Sequence, residues 1–175
     1  MILEKYLIPD IIFNDIYEIT PEFLVSEGIK GLVLDIDNTL VTYDDPVPTE
    51  SVSAWFKAME ASGIKMAFVS NNSDPKRVTT FNEGLGYFAI HRGGKPFGKG
   101  VRRAMAHMGT TKENTAIIGD QLLTDIMAGK CAGLKRSFAV LPIKDRTELF
   151  FRTKRKIEAP YVRKYMKLHG DKYGR

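Results

Sequence analysis

The chain has 175 residues with 43% apolar and 27% charged residues, ordinary for one globular domain with a sizeable core. No apolar run approaches the roughly 20 residues that span a bilayer, and the first residues lack the basic and apolar regions of a secretory leader. Its single cysteine, Cys131, excludes an intramolecular disulfide and agrees with a reducing, cytoplasmic setting.

The net charge of +5 is unevenly placed: residues 152–175 carry +7 and the preceding 151 residues carry −2. Such a basic segment can meet an anionic membrane surface, RNA or an acidic protein, or can form a solvated helix face.

In chain order, Ile2, Leu3, Tyr6 and Leu7 share one helical face before Pro9, and Ile11, Ile12 and Phe13 follow. This stretch suits packing on the body or lying at a membrane interface. Thr20-Pro21 reads as the cap and first residue of a helix that Gly28 ends. Lys30 to Leu34 is an apolar strand leading into Asp35-Ile36-Asp37-Asn38-Thr39. Thr49 caps a helix burying Val52, Trp55, Phe56 and Met59.

A second strand, Ile64 to Val69, ends at Ser70-Asn71-Asn72, and Asp74-Pro75 opens the next helix. A short third strand, Tyr87 to Ile90, precedes a Gly-rich loop holding Lys95, and a helix runs from Phe97 to about Met108. Thr115 to Ile118 is the fourth strand, ending at Gly119-Asp120, with a helix over Leu122 to Lys130. The fifth strand lies within Leu134 to Leu141. From Arg146 on, the pattern is helical and broken at Pro160. Strand–helix alternation predicts an α/β, three-layer Rossmann-like fold: a parallel sheet of about five strands with helices on both faces. The implied organisation is an N-terminal segment (1–29), a catalytic domain (30–145) and a basic helical extension (146–175).

In a parallel sheet the C-terminal strand ends share one edge, so Asp35, Asp37, Ser70, Asn71, Lys95, Asp120 and Asp125 converge. These residue types fit phosphoryl transfer. One carboxylate can attack phosphorus and a second can move the proton. A hydroxyl, backbone N–H groups, a lysine and Mg²⁺ can hold the phosphoryl oxygens. The other polar residues nearby have plainer readings. Asp74 and Thr49 are caps, and Asp44 and Asp45 form a solvated loop or fringe the site. Asn72 caps or orients the loop. Lys99, Arg102 and Arg103 are a solvated face, and His107 sits too far along its helix to be a ligand. His91 and Arg92 are candidates for specificity.

The four segments resemble the motifs of the haloacid dehalogenase superfamily. Asp35-Ile36-Asp37-Asn38-Thr39 is similar to its first motif and Ser70 to its second. Lys95-Pro96 is similar to the third and Gly119-Asp120 through Asp125 to the fourth. The resemblance implies that Asp35 is the nucleophile and a Mg²⁺ ligand. It makes Asp37 the general acid/base, a ligand only through its backbone carbonyl. Ser70 and the Asn71 N–H hold phosphate, Lys95 neutralises nucleophile and phosphate, Asp120 completes the metal set, and Asp125 supports it. Asn38 stands where the superfamily often has glycine.

Only 29 residues separate Leu40 from Ser70 and 24 separate Ser70 from Lys95, too few for an inserted cap domain, so an open site is expected. The chain thus resembles the capless subclass IIIA, YqeG-type phosphatases, related to the phosphatidylglycerophosphate phosphatases. The implied function is Mg²⁺-dependent hydrolysis of a phosphomonoester such as phosphatidylglycerophosphate. It would act in the cytoplasm or peripherally on the inner membrane surface, held there by residues 152–175. Alternatives are a soluble phosphatase of nucleotides, sugar phosphates or phosphoproteins, and a non-catalytic RNA- or ribosome-associated protein. The tail has few aromatics arranged for base stacking, which argues against nucleic acid. Oligomeric state is left open.

Overall fold

A computed structural model describes residues 3–144 and 147–170; Ile2, the expected start of the extension at Arg146, and the last five tail residues lie outside them. Six parallel strands form one sheet: β1 (Ile11–Phe13), β2 (Gly31–Leu34), β3 (Lys65–Val69), β4 (Phe88–Ile90), β5 (Thr115–Gly119) and β6 (Arg136–Val140). Their order is β1-β6-β5-β2-β3-β4, so β2 is central, with Leu34 paired to Phe68 on one side and Ile118 on the other.

All four residues of β2 are buried, because helices cover both of its faces. Side chains alternate across the sheet. Leu32 and Leu34 join Phe56, Phe68 and Phe138 in one core, and Val33 joins Ala67, Val101 and Ile117 in the other. The first core is capped by α3 (Glu50–Ala61), which starts where Thr49 Oγ1 accepts from Val52 N. The second core is covered by α5 (Lys99–Met108) and α6 (Met127–Ala132). Short helices α1 (Glu4–Leu7) and α2 (Pro21–Ser26) flank the N-terminal strand, and α4 (Pro75–Phe81) follows β3.

Three elements differ from the sequence expectation. Ile11–Phe13 is a strand, pairing with Phe138–Val140 and extending the sheet to six. Three residues are too short to show a period of two in the sequence. Leu122–Ile126 is a π-turn before α6 begins, whereas an α-helix was expected from Leu122. The final helix, α7 (Leu149–His169), runs through Pro160 without the expected break. Pro160 has no N–H to give to the Lys156 carbonyl. Packing offsets that loss: Tyr161, Val162, Tyr165 and Met166 seal a third core with Ile12, Leu122, Ile126 and Ala139.

Candidate active site

β2 ends at Leu34, where Asp35 N still donates to Ile118 O at 3.0 Å, and the chain then turns tightly. Asn38 makes that turn in the left-handed region, at φ 68°. Asn tolerates this region better than other non-glycine residues, which explains why it can stand where glycine is common. Its side chain also works: Nδ2 donates to Lys144 O and Oδ1 accepts from Lys144 N, both at 2.9 Å. The motif loop thereby anchors the segment that leads to α7.

Asp35, Asp37, Ser70, Asn71, Lys95 and Asp125 line one pocket of about 310 Å³ at the C-terminal edge of the sheet. Lys95 Nζ lies 2.5 Å from Asp35 Oδ1 and 2.6 Å from Asp125 Oδ1. Thr39 Oγ1 accepts from Asp120 N at 3.0 Å, and its proton faces Asp35 Oδ2 and Asp120 Oδ1, 3.3 and 3.4 Å away. On the next strand end, Ser70 Oγ accepts from Asn72 N at 3.0 Å. Asn71 clamps the Lys95 backbone with both side-chain atoms, at 2.7 and 2.9 Å. Its own N–H makes no hydrogen bond among the described residues.

Asp37 stands apart from the other carboxylates. Its Oδ1 accepts from Arg77 Nε at 2.7 Å and its Oδ2 from Asn72 Nδ2 at 3.1 Å. Arg77, on α4, also donates to the carbonyls of Asp45 and Thr42. Asn72 also braces its own loop, its Oδ1 accepting from Asp74 N at 2.9 Å, while the cap of α4 is Asp74.

Asp120 and Asp125 hang from β5 and the π-turn. Asp125 packs so closely on Gly119 that any Cβ there would collide with its side chain. Its Oδ2 accepts from Gln121 N at 3.1 Å. Its Oδ1 is buried and accepts no hydrogen bond among the described residues, for the Lys95 ammonium is close but poorly aligned. Asp120 is held from α7: Arg155 Nη2 meets Oδ2 and Nη1 meets the backbone O, each at 2.6 Å. Glu158 accepts from Leu123 N at 2.9 Å and from Arg155 at 3.1 Å, while Lys154 Nζ reaches Gln121 Oε1 at 3.0 Å.

Oxygens of Asp35, Asp120 and Asp125 lie within 4.8 Å of one another. Burial pushes Asp35 up to about 8 against the pull of Lys95, with Asp125 and Asp120 adding to the rise. Burial and Asp125 push Asp120 up to about 6 against Arg155. Burial alone would lower Lys95, but Asp125 and Asp35 override it and raise its pKa. Five buried carboxylates, counting Asp37 and Glu158, face the cations Lys95, Arg77 and Arg155. Three buried carboxylates with oxygens so close together, one of them an Asp125 oxygen that accepts no hydrogen bond among the described residues, fit one divalent cation held by oxygen ligands.

The geometry changes the expectation for the basic tail, which contributes to the site directly. Phe151 and Lys154 line the pocket of Asp35 and Lys95 together with Tyr43. Arg77, Arg155 and Glu158 were missed in the sequence because each acts across 35 to 40 residues. Other candidates lie elsewhere. His91 and Arg92 do not line the pocket. His107 stacks on Phe88 with ring centres 4.5 Å apart. Asp44 is exposed, and Asp45 braces its own loop through Thr42.

A parallel sheet whose strand ends gather two carboxylates one residue apart, a lysine and further acids is of the Rossmann-like type and suits phosphoryl transfer. Residues 42–133 match the haloacid dehalogenase-like hydrolase family. The chain is 40% identical over 156 residues to "Probable phosphatase YqeG" of Bacillus subtilis, covering 89% of this chain and 90% of that one. It is 30% identical over 139 residues to the chloroplastic phosphatidylglycerophosphate phosphatase 1 of Chlamydomonas reinhardtii, covering 75% of this chain and 52% of that one. The fold is shared with the cobalt-bound deoxy-D-mannose-octulosonate 8-phosphate phosphatase of Haemophilus influenzae, at TM-score 0.52 and 17% identity over 79% of this chain and 90% of that one. The chain belongs to the haloacid dehalogenase-like hydrolases. Within them it is a YqeG-type phosphatase, a phosphoric monoester hydrolase.

Proposed function

We propose that the chain hydrolyses a phosphomonoester through an aspartyl-phosphate on Asp35, with phosphatidylglycerophosphate as its substrate. The carrying observation is the shared pocket in which Asp35 sits against Lys95 while Asp37 is held apart by Arg77 and Asn72. A carboxylate oxygen of Asp35 attacks phosphorus as the bond to the leaving oxygen breaks. Asp37 gives its proton to that oxygen, then takes one from the water that attacks the phosphoenzyme and releases phosphate. Ser70 Oγ and the Asn71 N–H, which has no hydrogen-bond partner among the described residues, hold the phosphoryl oxygens, and Lys95 spreads their charge. Asp35, Asp120 and the Asp37 carbonyl would hold Mg²⁺, with Asp125 in support. The ion supplies charge stabilisation between nucleophile and phosphate.

Two features support a membrane-presented substrate. A relative at 30% identity is named for phosphatidylglycerophosphate. On α7, exposed Ile157 and Leu168 accompany exposed Arg152, Lys156, Arg163 and Lys167, the mix that suits peripheral contact with anionic lipid.

The test measures phosphate release, with and without Mg²⁺, from p-nitrophenyl phosphate, nucleotides, sugar phosphates and phosphatidylglycerophosphate vesicles. Vesicles should turn over best, and Asp35→Asn should abolish all turnover. Best turnover of a soluble ester would overturn the lipid assignment. Undiminished turnover in Asp35→Asn would overturn the nucleophile.

A further inference from the structure

A second cavity of about 390 Å³ adjoins the catalytic pocket, and Tyr43, Gln121 and Phe151 line both. Four cations face it: Lys144, Arg152, Arg155 and Lys156. Among the described residues its one lining acid is Asp120, whose Oδ2 is already taken by Arg155. Lys144 meets Asp44 at 3.2 Å, but both side chains are more than two-thirds exposed, so that pairing is weak.

Arg152 and Lys156 are different. Among the described residues, neither side chain has a hydrogen-bond or ion-pair partner. They stand four residues apart on α7, where like charges oppose each other. A helix thus spends stability to aim two unpaired cations at one cavity. An anion between them would remove that repulsion and accept charge-assisted hydrogen bonds from both.

We propose that this cavity is a second anion subsite, so that the substrate carries a further phosphate beside the one that is cleaved. The inference rests on the phosphatase reading and deepens it. The cleaved monoester enters the pocket of Asp35 and Lys95, and the chain between the two phosphates passes Tyr43 and Phe151. The second phosphate rests against Arg152 and Lys156. A lipid headgroup's phosphodiester and the second phosphate of a soluble bisphosphate share this chemistry. A simple monophosphate has nothing to place there.

The experiment uses the full chain with Mg²⁺ and three substrates. Glycerol 3-phosphate carries one phosphate, glycerophosphoglycerol phosphate carries two, and the diacyl form of the latter is presented in phosphatidylcholine vesicles. For the first two, the ratio of kcat/KM should favour the second phosphate by about tenfold. Arg152→Gln with Lys156→Gln should bring it close to one through KM. Arg163→Gln with Lys167→Gln removes equal charge from the same helix outside the cavity and should keep it.

Faster cleavage of the vesicle form than of the deacylated form assigns the phosphate to a lipid, and the reverse assigns it to a soluble ester; either upholds the subsite. A wild-type ratio near one overturns it, as does a ratio that survives the cavity variant or falls equally in the control. Calorimetric titration with glycerophosphoglycerol phosphate separates the two readings. Affinity lost in the cavity variant upholds the subsite even without turnover, and equal affinity overturns it. Failure to cleave any ester, p-nitrophenyl phosphate included, sinks the phosphatase reading alone.

Discussion

Both carboxylate oxygens of Asp37 are committed, Oδ1 to Arg77 and Oδ2 to Asn72, while Asp35 shares its neighbourhood with Asp120 and Asp125. On the proposed mechanism this asymmetry separates a proton-transfer group from the acids that would hold the ion. Asp37→Asn should therefore retain Mg²⁺ affinity by calorimetry while turnover falls by about 10²–10⁴-fold. Loss of Mg²⁺ binding in that variant would place the side chain among the ligands instead. The pair was legible in the sequence because two acids one residue apart at a strand end are a local pattern. Their division of labour came from the resemblance, whereas the partners that hold Asp37 apart did not, because Arg77 and Asn72 reach it from another strand's connection.

Burial also gives the acids a pH signature. Asp35 is pushed up to about 8 and Asp120 to about 6, whereas in an unfolded chain both titrate near 4. Between about pH 4 and 8 the folded, metal-free chain holds more protons than the unfolded one, so stability falls as pH rises. The raised Lys95 adds only above its ordinary range, near 10. In urea with a chelator, Asp35→Asn should match the natural chain near pH 4 and exceed it increasingly towards pH 8. A constant difference across that range would mean that Asp35 ionises normally in the fold.

At the scale of elements, the strand ends and most helix starts were legible from the residues that make them. Thr20, Thr49 and Asp74 accept from the first turns of α2, α3 and α4, as their types and positions imply. What escaped was set by tertiary packing. Ile11–Phe13 becomes a strand because β6 offers it an edge, and Pro160 stays helical because the residues after it are buried. The larger surprise is that α7 straps the loop after β5, with Arg155 on Asp120 and Glu158 on Leu123 N. Arg155→Ala leaves Asp120 buried without its cation. Urea unfolding should show a loss of about 1–2 kcal/mol, below the 3–5 of a fully buried pair because the Arg155 side chain is 39% exposed. No loss would mean that Arg155 merely rests on the loop.

For the molecule as a whole, charge and packing divide the basic segment into two sets. Lys154, Arg155 and Lys164 are committed to Gln121, Asp120 and Glu4, whereas Arg163 and Lys167 stand exposed beside the apolar Leu168. Deleting residues 152–175 would be a poor test of membrane contact, because it strips buried Tyr165 and Glu158 from the core and takes Arg155 from Asp120. Tyr165 is also the hydroxyl that accepts from Ile12 N at 3.1 Å, so truncation would take that partner from the edge strand as well. Point neutralisation avoids this. Each Lys or Arg near an anionic surface contributes about 1 kcal/mol, so Arg163→Gln with Lys167→Gln should weaken flotation with phosphatidylglycerol vesicles roughly thirtyfold. Added salt should weaken binding of the natural chain in the same sense, since exposed charges are screened within a Debye length. If flotation is equal in both proteins and indifferent to salt, the exposed face of α7 is simply solvated. The substrate would then have to reach the pocket from solution.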